Sequence, residues 1–75
     1  MDIYAKKGHK IVYTNPDAGY DRDQEVAKEY LELGKVYTVN WTNVHSWHTD
    51  VYLEEVPGVS FNSVMFEDLY KPQQR

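Results

Sequence analysis

His45-Ser46-Trp47-His48, followed by Asp50, is the one cluster in this 75-residue chain that gathers side chains of metal-ligand type. Two imidazoles and a carboxylate at the tip between two strand-like runs can converge across the turn, and such a mix of nitrogen and oxygen donors suits zinc or a neighbouring transition metal. Zinc ordinarily takes a further protein ligand, and His9 joins the others only if the fold carries it there. The expectation is therefore that His45 and His48 are solvent-exposed turn histidines, with Asp50 beside them at the start of the second strand, and that the protein holds no metal and no cofactor. Other chemistry is thinner still: no cysteine to act as nucleophile, no serine on a nucleophile elbow and no glycine-rich phosphate loop. A chain this short rarely encloses the dry pocket that catalysis needs, so an enzyme is not expected.

The elements that would position this cluster are two strands read as a hairpin over residues 35–56. Tyr37, Val39 and Trp41 alternate with Thr38, Asn40 and Thr42, the period of a half-buried strand, which places Trp41 in the core. In the second run Val51 and Leu53 share one face, Tyr52 and Glu54 the other, and Pro57-Gly58 supplies a turn. An earlier strand is read over residues 9–14, ending at Asn15-Pro16, which biases the chain away from helix. The loop after it holds Pro16, Asp17 and Gly19, and its one bulky residue, Tyr20, is expected to plug one end of the fold.

Residues 21–33 carry the one helical pattern, with Asp21 as N-cap, Gln24 as its capping-box partner and Gly34 as the terminator. Val26, Ala27, Tyr30 and Leu31 form its apolar stripe, with Tyr30 the anchor and Leu33 packing near the exit, while Glu25, Lys28, Glu29 and Glu32 face water. After Gly58 come a short strand at 59–61, a single helical turn begun by Asn62 or Ser63, and a closing strand near 67–70 that pairs with the first. Phe61, Val64 and Phe66 are expected in the core, and residues 71–75 form a frayed tail.

Composition sets the limits. With no cysteine to staple it, a domain of this length must rely on aromatic bulk, and seven Tyr and two Trp supply it. The formal charge of −4 works against a duplex nucleic-acid footprint. Lys6, Lys7 and Lys10 near the start oppose an acidic stretch that holds Asp21, Asp23, Glu25, Glu29 and Glu32. No apolar run spans a bilayer and the first residues lack the apolar core of a signal peptide, which points to a cytoplasmic protein without membrane association.

Taken together, Asn15-Pro16 to Gly19-Tyr20, the acid-rich helix, Leu33-Gly34-Lys35-Val36-Tyr37-Thr38-Val39, Val51-Tyr52-Leu53-Glu54 and Phe61-Asn62-Ser63-Val64-Met65-Phe66-Glu67 resemble short, largely uncharacterised SH3-like β-barrel proteins of bacteria and their phages. The resemblance implies a mainly β fold: a small barrel of about five strands over residues 1–75, with one α-helix inserted between strands 1 and 2. That helix departs from peptide-binding SH3 domains, so recognition of proline motifs does not carry over.

Two functions follow as expectations. The first is a non-enzymatic protein-interaction module of bacterial or phage origin. Its surface would be built from Tyr20, Trp47, His48 and Tyr52 and continued by Glu25, Glu29 and Glu32, against an unidentified protein partner. The alternative, set second by the net charge, is binding of single-stranded nucleic acid or nucleotide through aromatic stacking and Lys6, Lys7 and Lys10. A homo-oligomer would result if a neighbouring molecule's strand closed the barrel.

Overall fold

The computed structural model describes residues 1–69. The frayed tail expected at 71–75, together with Tyr70, lies outside the described residues. Five strands form one antiparallel sheet: β1 (Lys10–Tyr13), β2 (Val36–Val44), β3 (Thr49–Leu53), β4 (Ser60–Asn62) and β5 (Phe66–Asp68), in the order β4-β3-β2-β1-β5. The mainly β expectation holds, and the last strand pairs with the first within the same chain. A single 3₁₀ turn, Ser63–Met65, joins β4 to β5, and the Asn62 side-chain oxygen accepts the Val64 N–H at 3.2 Å to start it.

Helix α1 (Asp21–Tyr30) stands between β1 and β2 in sequence, as expected, but its ends differ from the reading at residues 21–33. Tyr20, not Asp21, is the N-cap, and Asp23 rather than Gln24 reaches back, its Oδ2 accepting the Tyr20 N–H at 3.0 Å. Gln24 instead donates to the Asp17 carbonyl. At the other end the chain leaves the helix after Tyr30 because residues 34 and 35 are claimed by β1: Gly34 N–H donates to Tyr13 O at 2.7 Å and Tyr13 N–H to Lys35 O at 3.2 Å. Gly34, with φ +84°, serves a β-turn closed by Lys35 N–H on Glu32 O, not a helix cap. Leu31 is buried by turning extended, whereas Leu33 is exposed.

The core lies between the sheet and the helix. Ile11, Tyr13, Val39, Val51, Leu53, Phe61, Met65 and Phe66 are buried, and Ala27 is the helix residue wholly within it. The rings of Tyr13 and Phe61 meet Phe66 at 5.9 and 6.3 Å between centroids. Val64, read as core, is exposed because the 3₁₀ turn points it outward between buried Ser63 and Met65. Ahead of β1, residues 3–8 run alongside β2: Gly8 N–H donates to Val39 O, Thr42 Oγ1 to Ile3 O, and Ala5 is buried.

Among the described residues no helix is long and apolar enough to cross a membrane.

Candidate interaction face and hairpin-tip cluster

A β-bulge decides which side chains the hairpin presents. Val39 pairs with Leu53, but the next pair is Trp41 with Tyr52, so Asn40 is an extra residue in β2 and the alternation resets after it. Trp41 therefore faces away from the core, 47 % exposed, instead of joining Tyr37 and Val39 inside. This overturns its placement in the core: a one-residue slip moves every later side chain to the opposite face. Trp41 lies flat on Tyr52, with centroids 4.1 Å apart and planes 3° from parallel.

Register carries this face across the sheet. Tyr52 pairs with Ser60, so Trp41, Tyr52 and Ser60 form a row over β2, β3 and β4, and Asn43, Asp50 and Asn62 form the next row towards the tip. The first row runs into a groove of about 400 Å³ between α1 and β4, lined by Arg22, Asp23, Val26, Glu29, Tyr30 and Ser60 among others. Tyr30 is 48 % exposed and meets core Phe61 only edge-on at 6.5 Å, so it walls the groove and does not anchor the helix. The second row is partly roofed by the start of α1, where Asn62 Nδ2 donates to Asp23 Oδ2 at 3.1 Å.

At the tip His45 N–H donates to His48 O at 2.8 Å, closing the turn. Both imidazoles then meet one carboxylate: His45 Nε2 is 3.0 Å from Asp50 Oδ2 and His48 Nε2 is 3.2 Å from Asp50 Oδ1. Tyr20 does not plug the fold; it is 58 % exposed at the helix start, with the edge of its ring against His48 at 6.2 Å. Trp47, at the apex, is 80 % exposed.

The structure thus brings Tyr20 together with His48, and His48 with His45 and Asp50, but Tyr52 partners Trp41 and not Trp47. Glu29 lines the groove; Glu25 and Glu32 are exposed elsewhere, Glu32 beyond the end of the helix. Of the three lysines, Lys10 is engaged, its Nζ donating to Thr38 Oγ1 at 2.6 Å, and Lys6 and Lys7 are exposed.

His9 does not reach the tip cluster. It sits on the far side of the sheet with Asp68, Nε2 to Oδ1 at 2.7 Å. Both Asp68 oxygens also accept the Asp2 N–H, at 3.1 and 3.2 Å. Burial alone would raise the pKa of Asp68, but these hydrogen bonds and the positive amino terminus outweigh it and hold the carboxyl below its ordinary range. Glu55 behaves alike: burial opposes its charge, but the Thr38 N–H, Thr38 hydroxyl and Lys10 bring its pKa down.

A family model described as Bacteriophage T4 protein Y07B matches residues 2–75. The chain belongs to that family. Neither the curated proteins nor the solved structures gave a match. In this Y07B-family chain the residues missed by sequence reasoning are Trp41, Tyr30 and Ser60. No local signal marked Trp41, since polar Asn40 falls where regular alternation with Thr38 and Thr42 already expects a polar residue, and the bulge shows only in the pairing with β3. Nothing local marked Ser60, whose place depends on register across three strands.

Proposed function

We propose that this short phage-family protein is a non-enzymatic protein-interaction module acting in the cytoplasm of the infected cell, on an SH3-like barrel. The strand order β4-β3-β2-β1-β5, with a 3₁₀ turn before the closing strand, supports the barrel reading. The observation that carries the function is exposed Trp41 stacked on half-buried Tyr52, a face leading across Ser60 into the groove beside Tyr30. Large rings held rigid at a surface offer contact area at small entropic cost, and their exposure has no structural purpose in a domain this short of core. Asp23 and Glu29 outnumber Arg22 on the groove wall, which in a chain of net charge −4 favours a partner segment with an apolar side chain for the stack and a Lys or Arg for the groove.

The test is affinity capture from host extract with the wild-type protein, Trp41→Ala and Glu29→Lys, each checked by thermal melting to be folded. A partner lost from both variants supports the reading, and one retained by both removes it. A second reading, binding of single-stranded nucleic acid, is favoured by one observation: the segment bearing exposed Lys6 and Lys7 runs beside β2, bonded to Val39 and Thr42 on either side of Trp41 in sequence. Oligonucleotide affinity that is measurable and falls steeply with salt would put this reading first. With Lys10 held by Thr38, the charge available to it is smaller than the sequence implies.

A further inference from the structure

We infer that His45, His48 and Asp50 form a binding site for one divalent transition-metal ion of borderline softness, zinc being the physiological choice. Their ligand atoms all lie within 4.8 Å of one another. Each imidazole Nε2 meets a different oxygen of the same carboxylate, His45 in a hydrogen bond at 3.0 Å and His48 at 3.2 Å, so the three donors already surround one small volume. Ligands around a tetrahedral zinc at about 2.1 Å are about 3.4 Å apart, so a cation can replace the His–Asp contacts with small side-chain rotations and no backbone movement.

The backbone holds this arrangement before any ion arrives. Val44 pairs with Thr49 and Asn43 with Asp50 directly below the tip, and the His45 N–H to His48 O bond closes the loop above them. The imidazoles are tilted 31° to each other with centroids 4.8 Å apart, and Tyr20 braces the more buried ring, His48, edge-on. Two nitrogens and a carboxylate oxygen suit zinc, cobalt, nickel or copper and disfavour magnesium and calcium, which take oxygen donors.

Three protein ligands at an exposed tip leave a fourth position for water or for a donor from another molecule. Outer-shell support is incomplete, since His48 Nδ1 is buried with no hydrogen-bond partner. The affinity expected is therefore micromolar, a Kd of roughly 1 to 100 µM.

This is testable on the full chain with cobalt(II) and zinc alone. Cobalt should bind at one equivalent with the visible absorption of a four- or five-coordinate site, and zinc should displace it. Asp50→Asn and His48→Gln should each weaken binding by about tenfold or more. His9→Gln, which alters the other His–Asp pair, should leave it unchanged. Because a tip substitution can disturb the hairpin, imidazole ¹⁵N shifts of the wild-type protein give a second readout: zinc should move the His45 and His48 signals and leave His9 in place. Failure of cobalt or zinc to bind at millimolar concentration, binding undiminished in Asp50→Asn, or zinc shifts centred on His9 would each overturn the assignment. None of these outcomes depends on the Trp41 face.

Discussion

The molecule contains the same pair of residue types twice, and the two copies behave differently. At the seam, where residues 1–9 meet β5, Asp68 takes one imidazole and uses both oxygens to accept the Asp2 N–H, beside the Met1 amino group that donates to Phe66 O at 3.1 Å. At the hairpin tip, Asp50 has two imidazoles and the buried Nδ1 of His48 has no partner. Residue type alone does not separate a staple from a binding site. What separates them is what the carboxylate oxygens hold: at the seam both accept a backbone N–H, and at the tip they meet only two imidazoles, contacts that a cation can take over.

The contrast can be broken most severely at the seam. Phe66→Ala empties a buried site touched by two other rings and should cost about 3 to 5 kcal/mol, enough to unfold a small domain, as chemical denaturation would show. Asp68→Ala removes the acceptor from His9 and Asp2 and should cost about 2 kcal/mol, against under about 0.5 kcal/mol for Asp50→Asn in metal-free protein. Equal losses from the two substitutions would mean that the tip is a staple as well.

Acid provides the same comparison without mutation. The folded-state pKa of Asp68 and of Glu55 lies below the unfolded value, so both contribute stability above the ordinary carboxylate range near pH 4, and that contribution is lost as the pH falls through their depressed values. Melting temperature should decline on this acid limb, and Asp68→Ala should flatten it; a limb unchanged in that variant would remove Asp68 from the account. Two smaller effects sharpen the boundary. Tyr30→Ala should cost about 1 kcal/mol, below the roughly 3 kcal/mol that an anchoring role would require, because half the ring is already in water. Trp47→Ala should stay within about 0.5 kcal/mol of wild type in the same melts.

How much of this was legible in the sequence varies with the range of the interaction responsible. The strands, the hairpin, the helix start to within a residue and the turn at Ser63 follow from periodicity and turn chemistry, which act locally. The helix end did not follow, because Tyr13 in β1 competes for the backbone of Gly34 and Lys35, and that competitor lies about twenty residues away. Tyr20 was assigned to the interior on bulk and Tyr30 on its place in the helical stripe, yet the buried residues that seat the helix are Ala27 and Leu31. At the tip the sequence named the three residues whose side chains lie close together, while expecting no metal there. Their shared carboxylate geometry is a property of the folded chain, since spacing does not say which way two imidazoles turn.

The bulge at Asn40 has an evolutionary reading. Strand alternation depends on the count of residues, so the outward facing of Trp41 is set by length and not by the chemistry of its neighbour. Loss of the Asn40 codon would leave Val39 and Trp41 adjacent, hence on opposite faces of an uninterrupted ladder, with both still placed as they are now. Asn40 thus reads as an insertion that the face can survive losing, and its contribution is the extra local twist that a bulge gives to the hairpin's outer half. Relatives with an in-frame deletion there should keep the tryptophan outside, whereas a deletion one residue on would remove it altogether.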